Sequence, residues 1–271
     1  MPTTLVVTAT SWTTTVVRRV HFRSDDLSAF AGSRFTDRYV KLVFPRPGVV
    51  LPEGVDVRAM RGVVLPEDMP IVRTYTALYP DAEAGTLAID FVVHGDEGIA
   101  GPWAARAEPG DTLVVNGPGG AYAPSPEADW HLLVGDESAL PAITAALEAL
   151  PGHAVARVIL QLEQPGHEPE LPLPDDAEVV HLYRSEPATD ADPLLAAVKA
   201  LEWPEGRVHA FVHGEAAEVM HGIRPYLYGE RGLTRGQVSI SGYWRRGRTE
   251  EGFRQWKADL RAEEEGVGAQ G

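Results

Sequence analysis

The chain has 271 residues, of which 44% are hydrophobic and 23% charged, a composition typical of a soluble globular protein with room for two domains. It contains no cysteine, which excludes disulfides, iron–sulfur clusters and thiolate-bound zinc, so redox chemistry would need an organic cofactor or a metal with N and O ligands. A formal net charge of -15 disfavours nucleic acids and anionic membranes as partners.

The amino-terminal segment, MPTTLVVTATSW, predicts a cytoplasmic protein. It has no basic residues at its start, and threonines interrupt its apolar residues, which is not the pattern of a secretory signal. The sequence also has no apolar run that approaches the roughly 18 residues needed for a membrane-spanning helix.

The first part of the chain is predicted to form short β-strands. Apolar-rich runs such as Tyr39–Phe44 and Leu87–Val93 are separated by turns that contain proline and glycine, a pattern that favours a β-barrel. A polar, proline-containing break over residues 124–129 ends this pattern. We therefore expect two domains, residues 1–125 and 126–271, of which the first is the barrel.

Strands and helices alternate in the second part of the chain, which is typical of a parallel α/β sheet of the nucleotide-binding kind. Asp192 followed by Pro193 has the pattern of a helix N-cap and a first helical residue. The predicted strands cover residues 131–134, 154–162, 179–183 and 208–212, and the predicted helices cover residues 140–150, 193–201, 215–226 and 248–265.

The first candidate binding motif is Arg73-Thr-Tyr-Thr76, which follows two apolar residues in a predicted strand. A guanidinium can hold pyrophosphate oxygens, a tyrosine ring can stack on a flat heterocycle, and a hydroxyl can hydrogen-bond to a flavin edge. Because alternate residues of a strand share a face, one ligand could contact both Arg73 and Tyr75. The same residues also suit an ordinary half-exposed strand.

A second motif, residues 90–104 (DFVVHGDEGIAGPWA), leads from a strand through a glycine-rich turn into a predicted helix start. Backbone N–H groups at a helix start can hold a diphosphate, and His94 and Trp103 would supply flat surfaces beside it. An ordinary strand–turn–helix connection has the same pattern. A strand that neighbours the one carrying RTYT would bring both motifs to one dinucleotide.

A third motif, residues 135–143 (GDESALPAI), follows a buried strand and opens a helix, the position at which parallel α/β sheets bind ligands. The sequence lacks both the G-x-G-x-x-G fingerprint of dinucleotide sites and the phosphate-binding loop G-x-x-x-x-G-K-[ST]. The acidic residue Asp136 could instead merely cap the helix.

Together with Gly214-Glu-Ala216 and Gly242-Tyr-Trp-Arg245, these motifs resemble the siderophore-interacting protein family, in order, over about residues 12–248. The resemblance implies a six-stranded antiparallel FAD-binding β-barrel followed by a nucleotide-binding-like α/β domain with a parallel sheet. It also implies FAD-dependent reduction of a ferric siderophore, with NADH, NADPH or reduced ferredoxin as the electron donor.

The resemblance further implies which residues form the site. The expected cofactor-binding residues are Arg73, Thr74, Tyr75, Thr76, Asp90, Val92, His94, Gly98, Ala100, Trp103, Ala104, Gly135, Asp136, Glu215, Tyr243 and Trp244. Of these, Gly135, Asp136 and Glu215 would lie where a nicotinamide nucleotide approaches. Lys41, Arg245 and Arg246 are expected to hold the ferric complex. We expect no catalytic acid or base and no protein-bound metal.

Three positions depart from the pattern of the family. Leu78 stands where the family's R-x-Y-T-x-R has its second arginine, Ile99 replaces a common proline of the phosphate loop, and Gly119 stands where many relatives have a basic residue. The loss of two cations weakens a preference for an anionic catecholate complex. A neutral, hydroxamate-type ferric complex is therefore expected.

Two alternative functions remain open. A general NAD(P)H:flavin or electron-transfer reductase would turn over artificial acceptors and be indifferent to iron chelates, whereas a ligand carrier that had lost FAD would be colourless. His209 and His213 share a strand face, but no clearly spaced further ligands accompany them for a metal. No serine lies in a G-x-S-x-G context, so a hydrolase is not supported.

Overall fold

The computed structural model describes residues 2–51, 56–60, 63–93, 95–96, 98–186, 192–248 and 252. Within them, the chain forms an antiparallel sheet domain followed by a parallel α/β domain, as the sequence predicts. None of the described helices is long and apolar enough to cross a lipid bilayer.

Seven strands form the first domain, and every pair of neighbours is antiparallel. The strands are β1 (Pro2–Trp12), β2 (Val17–Arg23), β3 (Tyr39–Phe44), β4 (Ile71–Thr76), β5 (Leu78–Asp81), β6 (Thr86–Val92) and β7 (Thr112–Gly119). Their order across the sheet is β4-β3-β7-β1-β2-β6-β5. Among the described residues, three short α-helices accompany them, namely α1 (Ser28–Ala31), α2 (Val57–Met60) and α3 (Ala100–Arg106), together with a 3-10 helix at Pro66–Asp68.

The antiparallel, barrel-like first domain is confirmed, but its sheet has seven strands rather than six, and its end strands β4 and β5 are not hydrogen-bonded to each other. The two are consecutive in the chain and are separated only by Ala77, and Tyr79 then adopts a left-handed backbone with φ 51°. This bend transfers the chain from pairing with β3 to pairing with β6. The rings of Tyr75 and Phe91, 4.8 Å apart, lie between β4 and β6.

Alternating apolar residues of these strands form one buried core inside the sheet. It includes Leu42 and Phe91, which are both fully buried. Trp103 of α3 packs against this core, with its ring 6.3 Å from that of Phe22 and 5.7 Å from that of Phe91. The core therefore fixes the position of α3.

The second domain has a five-stranded parallel sheet in the order β10-β9-β8-β11-β12. Its strands are β8 (Trp130–Asp136), β9 (Val155–Leu162), β10 (Asp176–Tyr183), β11 (Val208–Glu215) and β12 (Val238–Trp244). Its helices are α4 (Leu140–Glu148), α5 (Pro193–Ala200) and a helical segment over residues 216–230 that contains two π-helical stretches, Glu218–Ile223 and Tyr226–Glu230. The predicted N-cap is confirmed, since the side chain of Asp192 accepts a hydrogen bond from the N–H of Leu195. Most of the charged segment predicted as a helix, 248–265, lies outside the described residues.

The strand order reverses its direction between β8 and β11. From β8 the chain moves outward to β9 and β10 on one side, and then returns to β11 on the other side. A crevice forms at the carboxyl ends of such a strand pair, and it is the usual ligand position in this fold. Here the two strands end in Asp136 and Glu215, so the third sequence motif lies at this switch point.

The segment between the domains is fixed to both of them. The buried carboxylate of Asp37 accepts hydrogen bonds from the N–H groups of Ala121 and Tyr122, both at 2.9 Å. The buried ring of Tyr122 lies 4.8 Å from that of His209 and 4.9 Å from that of Phe211 in β11. Because Asp37 belongs to the first domain and β11 to the second, Tyr122 couples the two.

We expect the substitution Asp37→Ala to lower the free energy of unfolding by about 1–3 kcal/mol, because two backbone N–H groups would lose their acceptor in a buried place. Chemical denaturation of the purified protein measures this change. Asp25→Ala is the matched control, since its carboxylate is exposed and lies 4.0 Å from Arg23. An equal effect of the two substitutions would contradict the role given to Asp37.

Candidate functional site

The RTYT motif forms most of β4, as the sequence predicts, and its alternate residues point to opposite faces of the sheet. Arg73 and Tyr75 lie directly across from Leu42 and Val40, which are buried in the core of the first domain. Residues paired across antiparallel strands share a face, so Arg73 and Tyr75 both face inward. The structure therefore brings the arginine and the tyrosine to one side, while Thr74 is exposed on the other.

The second motif joins β6 to α3, also as predicted. Gly95 and Gly98 have positive φ angles of 55° and 79°, which residues other than glycine rarely adopt. A Cβ on Gly101 would lie 3.0 Å from the carbonyl oxygen of Val92, so the helix start is pressed against the end of β6. Ala100 and Ala104 are buried beneath it. His94 lies outside the described residues.

Asp90 has a partner that the sequence analysis missed. Its two oxygens accept hydrogen bonds from Nε and Nη2 of Arg19 at 2.7 and 2.8 Å, a bidentate ion pair between neighbouring strands. The guanidinium of Arg19 also lies 5.1 Å from the centre of the Tyr79 ring. The register of β2 against β6 places Arg19 opposite Asp90, and no local sequence motif predicts this ion pair.

The three departures from the family's pattern have structural reasons. Leu78 is completely buried, so this position is part of the core rather than a place for a cation. Ile99 packs against the core of the first domain. A Cβ on Gly119 would lie 2.3 Å from the ring of Tyr39, so this tyrosine occupies the space of any longer side chain.

Asp136 ends β8 at the switch point, where its carboxylate is buried and surrounded by donors. One oxygen accepts from the N–H of Ser138 at 2.8 Å and from its hydroxyl. The other accepts from the N–H of Glu215 at 2.9 Å and from the indole Nε1–H of Trp244 at 2.7 Å. Burial raises the pKa of Asp136, and the hydrogen bonds from Ser138 and Trp244 oppose that shift.

Glu215 ends β11 and is bound in a similar way. One of its oxygens accepts from the N–H groups of Ala217 and Glu218, at 2.6 and 3.1 Å. The other accepts from the N–H of Arg246 at 3.0 Å and lies 3.6 Å from Nη1 of Arg245. Two buried carboxylates therefore occupy five backbone N–H groups at the end of the sheet where a ligand phosphate would otherwise find donors.

The structure thus brings together four of the predicted residues of this end, namely Gly135, Asp136, Glu215 and Trp244. A Cβ on Gly135 would lie 2.7 Å from both the Ala139 side chain and the backbone of His213, which explains the glycine. The Tyr243 ring lies 4.8 Å from that of His213. Burial, followed by the negative charges of Asp37 and Asp136, raises the pKa of Tyr243, as expected for a phenol near the domain junction.

Glu218, which the sequence analysis did not single out, lies three residues after Glu215 near the switch point. Burial, followed by the negative charges of Asp192 and Glu215, raises its pKa to about 7, and the positive charge of Arg246 only partly compensates. Its carboxyl group therefore changes charge near neutral pH, beside Glu215 at the start of the helical segment. The sequence could not predict this pKa shift, because Asp192 and Glu218 come together only through the packing of α5 on the helical segment.

Of the three cations expected at the ferric complex, Lys41 lies in the first domain, and Arg245 and Arg246 lie together in the second. Lys41 is paired with Thr74 and Asn116 across the sheet, so it faces outward, away from Arg73 and Tyr75. Arg245 and Arg246 follow β12, and the latter is exposed.

The histidines and the remaining acidic groups do not form a metal site in the described part of the chain. No cluster of three or more potential ligands is found there. His209 accepts a hydrogen bond at Nδ1 from the N–H of Ser125, and His213 interacts through Nε2 with the hydroxyl of Ser239 at 3.0 Å. Both imidazoles thus have structural contacts.

Comparison with known proteins gives the same division of the chain into two parts. Residues 6–122 match the model of the siderophore-interacting FAD-binding domain, and residues 128–247 match the model of the siderophore-interacting protein family. Together the two models cover most of the chain.

Two relatives have informative names. Ferric vibriobactin reductase ViuB of Vibrio cholerae is 34% identical over 238 residues, which cover 87% of this chain and 86% of ViuB. NADPH-dependent ferric-chelate reductase of Escherichia coli is 39% identical over 140 residues, or 51% of this chain and 53% of that protein. The crystal structure of a siderophore utilization protein from T. fusca superposes with a TM-score of 0.76 at 37% identity, covering 92% of this chain and 94% of that one.

An antiparallel FAD-binding domain followed by a parallel α/β domain defines an FAD-dependent oxidoreductase with the ferredoxin-reductase-like fold. The motifs at both sites and the matched models narrow this class further. The chain belongs to the siderophore-interacting protein family.

The described residues of the first domain fit FAD in their chemistry. Arg73 would offer a cation to the diphosphate, and the Tyr75 ring would offer an aromatic surface to the isoalloxazine. The glycines before α3 let a backbone approach a phosphate closely, and no described side chain caps the start of that helix. Asp90, Val92, Gly98, Ala100, Trp103 and Ala104 remain predicted contacts.

We expect Asp136→Asn to lower the free energy of unfolding by about 2–4 kcal/mol, because an amide NH₂ would face N–H donors where the carboxylate now accepts four hydrogen bonds. The loss of the bond to Trp244 should also shift the emission of this indole. Urea denaturation and tryptophan fluorescence measure the two effects. Asp175→Asn is the control, since this side chain is exposed; similar values for both variants would argue against the network.

The raised pKa of Glu218 predicts a pH-dependent stability. Between the usual glutamate pKa and about 7, the folded protein holds a proton that the unfolded chain releases, so stability falls as pH rises through this window. We expect Glu218→Gln to raise the melting temperature at pH 8 and to change it little at pH 5. Thermal unfolding at both pH values, with the exposed Glu205→Gln as control, tests this; a pH-independent difference would refute it.

Proposed function

We propose that this protein reduces the Fe(III) of a ferric siderophore to Fe(II) and so releases the iron for use in the cell. The observation that carries this proposal is the placement of Arg73, Tyr75 and the glycine-rich loop in a domain that matches a siderophore-interacting FAD-binding domain. The similarity to ferric vibriobactin reductase, which extends over 87% of the chain, supports the same substrate class.

FAD, when bound, accepts an electron pair and passes it on one electron at a time. With NADPH as donor, one hydride supplies the electrons for two ferric chelates, and one proton is released. The inward-facing Arg73 and Tyr75 would orient the cofactor, and the glycine-rich loop would bind its diphosphate. Fe(III) prefers hard oxygen ligands more strongly than Fe(II) does, so reduction loosens the chelate without a catalytic acid or base.

The substrate would be held outside the cofactor by cations. Arg245 is tethered to Glu215 beside the domain junction, and Arg246 and Lys41 lie on exposed or half-exposed positions. Leu78 is buried in the core, and Tyr39 occupies the space beside Gly119, so neither position can carry the cation that the family's pattern places there. The site therefore has fewer cations than that pattern provides. This favours a neutral ferric hydroxamate over an anionic catecholate.

NADPH is the donor that the Escherichia coli relative suggests by its name. Reduced ferredoxin is the second candidate, and one feature of the switch point favours it. The backbone N–H groups that would bind the diphosphate of NADPH are occupied by Asp136 and Glu215, and these carboxylates would also repel it. A protein donor would not need that crevice.

Anaerobic spectroscopy of the purified protein tests the proposal. We expect flavin absorption that bleaches when NADPH or reduced ferredoxin is added and returns when a ferric hydroxamate follows, while a colorimetric Fe(II) chelator develops its colour. Turnover of artificial acceptors without any response to ferric chelates would instead identify a general reductase. A colourless protein that takes up no FAD would refute the proposal.

Substitution of Arg245 tests the substrate site. We expect Arg245→Gln to raise KM for a ferric hydroxamate about fivefold, corresponding to about 1 kcal/mol of lost binding, with kcat nearly unchanged. Steady-state kinetics with a saturating donor measures both constants. Arg248→Gln is the matched control, because it is a neighbouring and exposed arginine. An unchanged KM in the Arg245 variant would exclude this residue from the substrate site.

A further inference from the structure

A row of side chains crosses the inner face of the first domain and ends at the tyrosine of RTYT. The register pairs Trp12 of β1 with Arg18 of β2, and Arg18 with Phe91 of β6. Phe91 lies in the buried core, and residues paired across antiparallel strands share a face. Since the Phe91 and Tyr75 rings are 4.8 Å apart, the row runs from Trp12 through Arg18 and Phe91 to Tyr75.

Arg18 is a cation without an anionic partner in the described part of the chain. Its Nη2 donates to the hydroxyl of Thr10 at 2.7 Å, but its Nε is buried and has no hydrogen-bond partner among the described residues. The adjacent Arg19 differs, because Asp90 neutralises it through two hydrogen bonds. A half-buried guanidinium that no carboxylate neutralises keeps its positive charge available to an external anion such as a phosphate.

Trp12 provides an aromatic surface next to this cation. Its side chain is 50% exposed although it stands at the inward-facing end of β1, and the guanidinium of Arg18 lies 5.4 Å from the centre of its ring. Exposed tryptophan faces stack on nucleic-acid bases, and the gain is insensitive to the identity of the base. Trp12 and Arg18 together thus present the chemistry that recognises a purine joined to a phosphate.

The position of this pair also agrees with a dinucleotide. The N–H of Val93 donates to the carbonyl oxygen of Val16 at 2.8 Å, so the glycine-rich loop leaves β6 beside the turn that joins β1 to β2. Trp12 and Arg18 flank that turn in the sequence. The loop expected to bind the diphosphate therefore begins close to both residues.

We propose that Trp12 and Arg18 form the adenine end of the FAD site, with the indole stacked on the adenine and the guanidinium bound to the diphosphate. Arg18 would supply from β2 the cation that Leu78 does not supply after β4. This inference rests on the proposed function, because it assumes that FAD is the resident cofactor. It adds two residues, on strands that carry none of the sequence motifs, to the cofactor site.

Titration of the flavin-free protein with FAD and with FMN tests the proposal. We expect Trp12→Ala and Arg18→Met each to raise the dissociation constant of FAD about five- to thirtyfold. Trp12→Ala should leave the affinity for FMN unchanged, since FMN has no adenine. Arg23→Met is the matched control, because this arginine is an exposed residue of the same strand, and it should bind FAD as the original protein does.

The outcomes separate this inference from the proposed function. If the original protein binds FAD and reduces ferric chelates, and both variants bind FAD equally well, the adenine-end assignment is wrong and the reductase function stands. If Trp12→Ala loses FAD and FMN to the same extent, the tryptophan does not recognise the adenine. If the original protein binds neither flavin, both proposals fail. Thermal unfolding of the flavin-free variants establishes that they are folded.

Discussion

Two carboxylates buried at the carboxyl ends of neighbouring parallel strands organise the second domain. Burial of a charge costs several kcal/mol unless hydrogen bonds replace the lost water, and Asp136 and Glu215 meet that condition with backbone N–H groups and the indole of Trp244. These bonds fix the end of β12 and the arginines that follow it. They also engage backbone N–H groups at the end of the sheet where this fold usually binds a nucleotide.

In the first domain, two adjacent arginines of β2 differ in whether a carboxylate neutralises them. Arg19 is neutralised by Asp90, whereas Arg18 on the opposite face has no carboxylate partner among the described residues. Strand geometry sends these adjacent residues to opposite faces, so only one of them reaches Asp90. Tyr79, at the bend that begins β5, contacts the ion pair of Arg19 and Asp90, because its ring lies beside the Arg19 guanidinium. At this place β5 also lies against α4 of the second domain.

Flavin-dependent electron transfer requires the protein mainly to bind and orient the cofactor. In an FAD-dependent oxidoreductase the cofactor supplies the electron-transfer chemistry, and the side chains position it. The junction around Asp37 and Tyr122 sets the position of one domain against the other. Burial, followed by the negative charges of Asp37 of the first domain and Asp136 of the second, raises the pKa of Tyr243, which lies near this junction.

The sequence by itself determined the two-domain class, most strands and helices, the Asp192 cap and the family, because these depend on local periodicity and on motifs that are contiguous in the chain. It also placed the RTYT and GDESALPAI motifs on the correct elements. Only the tertiary structure decided the seventh strand, the pairing of Asp90 with Arg19, the burial of Leu78, the occupied switch point and the row from Trp12 to Tyr75. Each of these joins residues that are distant in the chain, and their meeting is set by strand register and domain packing, which no local pattern encodes.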